Sequence, residues 1–179
     1  IDDPHLAVRW HDNPGQSVSD YRKRARTFVE ITNYGLEGIP EDRVRYHLCW
    51  GSWHGPHAFD LPLAEIVDLM LSVRAQGYVF EAANAQHEHE FEIWRDVKLP
   101  PGKILIPGVV SHATVVVEHP ELVALRIKNF AGLVGRENVI AGTDCGLGYR
   151  VHPQIAEAKL RNLAVGAASA SRALYRSAA

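Results

Sequence analysis

Short apolar segments alternate with amphipathic segments along the whole chain, and this alternation constrains the fold more than any other feature of the sequence. The apolar segments are rich in Val, Ile, Leu and aromatic residues, which is typical of buried β-strands. The predicted strands are the opening residues and segments 44–50, 78–84, 102–110 and 137–146. The predicted helices are 17–35, 62–77, 87–97, 119–135 and 152–177. Glycines at 35, 77 and 135 are the expected helix stops.

Strict alternation of this kind predicts an α/β fold with a parallel sheet. Such a sheet is either doubly wound or closed as a (β/α)8 barrel. In both architectures the carboxyl ends of the strands meet at one rim, and that rim carries the chemistry. No GxGxxG or GxxxxGK[ST] motif follows a predicted strand, so the sequence offers no support for dinucleotide or P-loop nucleotide binding.

Composition narrows the possible functions. The chain has 179 residues, a formal net charge of −2 and no block of Lys and Arg, which argues against binding to nucleic acid or a membrane surface. We treat residues 1–179 as a single domain. No signal peptide and no apolar run of about 18 residues are visible in residues 1–179, so we expect a cytoplasmic protein with reduced thiols. Ten histidines are many for this length and favour metal or acid–base chemistry.

Polar side chains stand at the carboxyl end of every predicted strand. They are Asp2 and Asp3, His47 and Cys49, Glu81 with Asn84, Ser111 with His112, and Asp144 with Cys145. His47 and Cys49 are two residues apart on a strand and therefore point to the same side. Together with Glu81 and Cys145 they form a His-Cys-Glu-Cys set, the nitrogen and sulfur chemistry that zinc prefers. Because these ligands come from separated strand ends rather than a CxxC loop, the pattern favours a catalytic over a structural zinc site.

Each of these residues also has a simpler interpretation. Glu81 could form a salt bridge at the rim, and Cys145 could be a buried thiol in a tight turn. Asp144 could orient a ligand or hydrogen-bond local backbone. Trp50 could line a substrate pocket or pack in the core, and the same holds for Trp53.

The remaining histidines of the predicted rim are interpreted as non-catalytic. His54 and His57 are expected to be polar loop residues at the surface. His87 and His89, with Glu88 between them, are expected to cap a helix or face solvent.

Four segments together resemble a known family. "YHLCWGSWHGPH", "FEAANAQHEHE", "IPGVV" and "VIAGTDCGLG" are similar, in this order, to the carboxyl-terminal zinc barrel of cobalamin-independent methionine synthase and its short single-barrel relatives. Those relatives include methionine synthase II and the epoxyalkane–coenzyme M transferases. The resemblance implies that His47, Cys49, Glu81 and Cys145 bind zinc. It also implies that Asp2, in the "IDDP" opening, contacts the amino group of homocysteine.

The resemblance has further implications for His112 and for the extent of the fold. His112 lies near the position of the histidine that donates a proton to the folate in this family. The family's domain is a whole (β/α)8 barrel of about 250 residues. This chain starts at Ile1 rather than Met and would supply only the carboxyl-terminal part, about strands 4–8. We therefore expect a chain truncated at the amino terminus that self-associates or binds the missing barrel half.

The sequence is compatible with three functions. The first is zinc-dependent transfer of a methyl group from 5-methyltetrahydropteroyl-glutamate to the thiol of homocysteine, which gives methionine. The second is zinc-dependent alkylation of another thiol, as in attack of coenzyme M on an epoxide; Arg150 is the nearby basic residue that could accept its sulfonate. The third is a barrel fragment that binds zinc and catalyses nothing.

Overall fold

The computed structural model describes residues 1–51 and 58–176, and a parallel five-stranded sheet organises this part of the chain. The strands are β1 (Asp2–Asp3), β2 (Arg45–Leu48), β3 (Gly77–Phe80), β4 (Ile104–Val110) and β5 (Gly142–Thr143). They lie side by side in chain order. A doubly wound sheet reverses its strand order at a switch point, whereas a barrel does not. The described order is therefore that of a partial (β/α)8 barrel, as expected.

Five α-helices connect or flank these strands within the described ranges. They are α1 (His5–Val8), α2 (Val18–Gly35), α3 (Val67–Leu71), α4 (Pro120–Val134) and α5 (Pro153–Arg176). Short 3₁₀ segments cover Arg9–Asp12, Glu41–Arg43, Leu63–Glu65, Glu88–Arg95 and Arg136–Asn138. None of the helices described is both long and apolar enough to cross a bilayer.

Local sequence signals account for the ends of the long helices. Ser17 begins α2, because its hydroxyl accepts the Asp20 N–H at 3.1 Å. His119 caps α4 in the same way and Pro120 occupies its first turn. Gly135, with φ of 91°, ends α4 because this backbone conformation suits glycine.

Two predicted helices differ from the structure. The predicted helix 62–77 consists of a 3₁₀ turn followed by the five-residue α3, and its expected stop, Gly77, is instead the first residue of β3. A Cβ on Gly77 would come within 2.5 Å of the Arg45 Cδ on the neighbouring strand. Gly77 therefore allows the Arg45 side chain of β2 to pack against β3, and it does not end a helix. The predicted helix 87–97 is a 3₁₀ helix, Glu88–Arg95.

Period-two alternation divides the strand residues between two faces. Tyr46, Leu48, Tyr78, Phe80 and Leu105 are buried against the helices in the main core. His47 lies in register with Val79 of β3 on the opposite face, and both are only partly buried. A second, smaller core joins Val109 and Val110 to α4 and α5. The face that carries His47 is therefore the one available for a site.

Candidate metal centre at the carboxyl ends of the strands

Parallel pairing brings the predicted residues to one rim. Asp2 is the register partner of His47. Cys49, Glu81 and Asp144 follow directly after β2, β3 and β5. Because all the parallel strands of a barrel end at one rim, residues nearly one hundred positions apart in the chain become neighbours, as Cys49 after β2 and Cys145 after β5 do. The convergence expected from the sequence is present.

The two thiols form the centre of the rim. Cys49 Sγ and Cys145 Sγ are 3.9 Å apart, which excludes a disulfide of about 2.05 Å. A ligand nitrogen of His47 and both sulfurs lie within 4.8 Å of one another. Two thiolates on one tetrahedral zinc, each about 2.3 Å from the metal, lie about 3.8 Å apart. The donor types and the spacing of His47, Cys49 and Cys145 therefore fit zinc.

Oxygen acceptors orient the His47 ring on both sides. Its Nδ1 lies 2.9 Å from Asp2 Oδ1, and its Nε2 lies 3.0 Å from the backbone carbonyl oxygen of Asp144. A carboxylate on one ring nitrogen is the usual arrangement around a metal-binding histidine, since it fixes the ring and raises its basicity. Coordination through Nε2 would replace the contact with the Asp144 carbonyl. The Asp2 side chain stays 71% exposed, so its carboxylate remains accessible to a ligand.

Glu81 lies in an adjacent group rather than among the thiols. Ligand atoms of Glu81, His112 and Asp144 lie within 4.8 Å of one another, and all three side chains are buried. Asn84 bridges the two acids, because its Nδ2 donates to Glu81 Oε2 at 2.7 Å and to Asp144 Oδ2 at 3.1 Å. The structure thus brings together three of the four predicted ligands and places the fourth beside them with His112.

Burial changes the acidity of both carboxyl groups. Burial and then the negative charge of Asp144 raise the pKa of Glu81 to about 7. Burial raises the pKa of Asp144 to about 6, although backbone N–H groups of Ala82 and Ala83 donate to its Oδ1, each at 2.8 Å. The adjacent group therefore retains a proton more readily than exposed carboxyl groups do. Asp144 hydrogen-bonds backbone, as one interpretation expected, but the backbone is that of the residues after β3, two strands away in the sheet, rather than local.

Gly108 in the "IPGVV" segment allows Asp144 to occupy this position. A Cβ on Gly108 would lie 2.1 Å from Asp144 Oδ1 and 2.5 Å from its Cα. A glycine inside a strand often marks such a close approach of another chain segment. The motif glycine therefore has a direct structural role in the site.

Trp50 lies in the core rather than on the rim. It is 1% exposed, its Nε1 donates to the Leu61 carbonyl at 2.9 Å, and its ring is 4.3 Å from that of His87. Core packing, one of the two interpretations of this residue, describes its environment. Trp53, His54 and His57 lie outside the described residues.

Of the two expectations for His87, the solvent-facing one was wrong; His87 is at the N-cap position of the 3₁₀ helix Glu88–Arg95, although its side chain makes no capping hydrogen bond. The side chain is buried between two acids, with Nδ1 2.8 Å from Glu90 Oε2 and Nε2 3.6 Å from Asp60 Oδ2. Glu90 also accepts the Leu63 N–H at 2.7 Å. These contacts of His87 and Glu90 hold Asp60 and Leu63 against the start of the 3₁₀ helix Glu88–Arg95. Their sequence signal was weak, because Asp60 lies 27 positions before His87 and nothing local connects them.

Sequence reasoning also missed Arg126 on α4. Its guanidinium donates to Glu88 Oε1 at 2.7 Å, to the Val109 carbonyl at 3.0 Å and to the Ala83 carbonyl at 3.3 Å. It therefore joins the carboxyl ends of β3 and β4. An arginine within an amphipathic helix gives no sequence signal for such contacts.

Comparison with known proteins agrees with the fold and with the predicted resemblance. No family model matches the chain. A B12-independent methionine synthase from Shewanella sp. W3-18-1, solved in complex with selenomethionine, superposes with a TM-score of 0.72 at 19% identity. The match covers 98% of this chain and 48% of that one. The 2-hydroxypropyl-CoM lyase of Xanthobacter autotrophicus (strain ATCC BAA-1158 / Py2) is 23% identical over 163 residues, 77% of this chain and 43% of the lyase.

The chain thus spans less than half the length of each of these proteins. At 19% identity the structural match shows similarity of fold and nothing more. Both matched proteins are enzymes, and they represent the two branches that the sequence motifs indicated, a methionine synthase and a coenzyme M enzyme. The predicted resemblance is confirmed: this chain is similar to B12-independent methionine synthase and to 2-hydroxypropyl-CoM lyase, on a partial (β/α)8 barrel.

Proposed function

We propose that this chain carries the zinc centre of a thiol S-alkyltransferase, with homocysteine as the thiol and a methyl group as the transferred unit. The observation that carries the proposal is the pair of thiols 3.9 Å apart at the ends of two separate strands, with a histidine nitrogen beside them. The proposed ligands are His47, Cys49 and Cys145, with Glu81 as the fourth. The predicted methyl donor is 5-methyltetrahydropteroyl-glutamate.

When bound there, zinc would favour the thiolate form of a substrate thiol while two cysteinate ligands keep that sulfur nucleophilic at neutral pH. The remaining chemistry belongs to the side chains of this chain. Asp2 holds the His47 ring, and its exposed carboxylate can bind the amino group of an amino-acid thiol. Asn84 Nδ2 donates to Glu81 Oε2 at 2.7 Å and the Trp50 N–H donates to Oε1 at 3.2 Å, so these contacts must loosen for the carboxylate to move toward the thiols.

Proton transfer is assigned to the adjacent group. His112 is buried beside two carboxyl groups whose pKa values are raised by burial, to about 7 for Glu81 and about 6 for Asp144. A histidine placed beside buried carboxyl groups can deliver a proton to a leaving group. We assign this role to His112. We propose that Asp144 orients the Asn84 amide and the residues that follow β3, through its hydrogen bonds with Asn84, Ala82 and Ala83.

The similarity to 2-hydroxypropyl-CoM lyase favours a second candidate, alkylation of coenzyme M or a related thiol. Its sulfonate would need a cation, and Arg150 follows the Cys145 turn. Competition for the metal centre distinguishes the two candidates. Homocysteine should protect Cys49 and Cys145 from alkylating reagents at lower concentration than coenzyme M if the substrate is an amino acid, and the reverse order would favour the second candidate.

The first test is the zinc content of purified chain. We expect about one zinc per chain in the parent, and loss of zinc in Cys145→Ala and in His47→Ala. His89→Ala, at an exposed histidine outside the group, is the matched control and should retain the metal. A folded parent without zinc, after supply of the metal, would refute the proposal. Zinc without turnover of either thiol would support the third possibility, a fragment that binds metal and is not a catalyst.

A further inference from the structure

The segment that carries His112 is held in place by a buried ion pair. Glu118 lies just before α4 and is 6% exposed, and Lys159 on α5 is completely buried. Lys159 Nζ donates to Glu118 Oε2 at 2.8 Å and also to the carbonyl of Val116. Asn162, one turn further along α5, donates to the backbone carbonyl of Glu118 at 2.8 Å. The described contacts thus fasten residues 116–118 to α5.

The other carboxylate oxygen of Glu118 contacts the backbone at the carboxyl end of β4. Glu118 Oε1 accepts the backbone N–H of Ser111 at 2.8 Å, in a buried environment. Ser111 directly precedes His112, and its hydroxyl accepts the Ala113 N–H at 3.0 Å. The carboxylate therefore fixes the backbone on the amino-terminal side of His112, while its charge is balanced by a lysine on a different helix.

We propose that Glu118 is a positioning residue that sets the location of the His112 imidazole, and that Lys159 holds its carboxylate in the required orientation. This inference rests on the proposed function, in which His112 acts on the substrate. The arrangement also connects two parts of the rim, because α5 follows the turn that contains Cys145. Glu118 therefore connects α5 to the backbone beside His112.

A buried ion pair by itself is weak evidence for such a role, since removing one partner destabilises a protein whatever the pair does. The test therefore uses variants in which both charges are removed. Glu118→Gln with Lys159→Met keeps a side-chain oxygen that can accept the Ser111 N–H. Glu118→Met with Lys159→Met has the same net charge and similar volume but offers no acceptor to Ser111. The hydrogen bond to the Ser111 N–H is the contact with the backbone beside His112 that distinguishes these two double variants.

The readout is the ring signal of His112 in NMR spectra of the full chain labelled with ¹³C-histidine, assigned by its loss in His112→Gln. We expect the signal to stay in place in the Gln/Met variant and to move by more than its linewidth in the Met/Met variant. In the alkylation assay, kcat should fall about tenfold in the Met/Met variant while KM changes less than about twofold. The exposed pair Glu157–Arg161 on α5 is the control, and replacing both with Met should leave the His112 signal unchanged.

A His112 signal that is unchanged in the Met/Met variant, or that moves equally in both double variants, would overturn the proposal. If the Met/Met variant does not fold, Glu118→Asp replaces it. That side chain keeps its charge beside Lys159 but is one methylene too short to hold Ser111, so the signal should again move, and an unmoved signal would overturn the proposal. Zinc content is measured in the same samples. Absence of zinc from the parent would refute the proposed function, whereas the NMR comparison would still decide the role of Glu118.

Discussion

Replacing Gly108 with alanine tests whether the close approach of two strands builds the site. The new Cβ would lie 2.5 Å from the Asp144 Cα and 2.6 Å from its backbone nitrogen. Carbon atoms in contact are about 3.5–4.0 Å apart, so Asp144 must move by about 1 Å. Overpacking of this kind costs about 1–3 kcal/mol. Movement would also weaken the hydrogen bonds from Ala82 and Ala83, which are worth about 1.5–3 kcal/mol each when the acceptor is charged.

Because the strands can share the displacement, we expect Gly108→Ala to lower the free energy of unfolding by about 2–4 kcal/mol at pH 7.5. The matched control is Gly142→Ala on the paired strand. There the Cβ would lie 3.1 Å from the Ile106 Cγ2 and in ordinary contact with the Pro107 and Ile106 carbonyl oxygens at 3.6 and 3.7 Å, so we expect a change below about 1 kcal/mol. Urea unfolding followed by fluorescence measures both, and zinc content is recorded alongside. Equal unfolding midpoints for the two variants would refute the reasoning.

Two further predictions concern stability. A Cβ at Gly166 on α5 would lie 2.6 Å from the Pro120 carbonyl and Val123 on α4, so Gly166→Ala should destabilise by about 1–2 kcal/mol after its helix-propensity gain is subtracted. A Cβ at Gly132 on α4 would meet nothing within 4 Å, so Gly132→Ala should stabilise the protein by about 0.5–1 kcal/mol. Thermal unfolding of both variants checks this prediction, which requires changes in stability of opposite sign. Burial opposes protonation of His87, but its acidic neighbours outweigh burial and raise its pKa to about 9. The folded pKa exceeds the unfolded value of about 6.5, so the stabilisation is complete below that pH and is lost as pH rises through about 9. His87→Gln should lose this part of the pH dependence in urea unfolding, and an identical pH profile in the variant would contradict the assignment.

Much of the fold could be predicted from local patterns. Alternating buried and exposed residues mark the strands, and caps such as Ser17 and His119 mark where the long helices begin, because these signals act within a few residues of the chain. The glycine at 77 was misinterpreted, since a glycine that ends a helix and one that lets a neighbouring strand approach look the same in sequence. Only the packing of Arg45 against β3 distinguishes them.

The sequence by itself determined the donor types of the candidate site and the strand ends on which they stand, because parallel strands must bring those ends to one rim. It did not determine which of these donors lie together in the folded chain. Tertiary structure separates the thiols and His47 from the group of Glu81, His112 and Asp144, through the Asn84 bridge and the close approach at Gly108. It also buries His87 beside Asp60 and Lys159 beside Glu118, acids that lie far away in the chain. Such contacts depend on how strands and helices pack over long sequence separations, which no local pattern encodes.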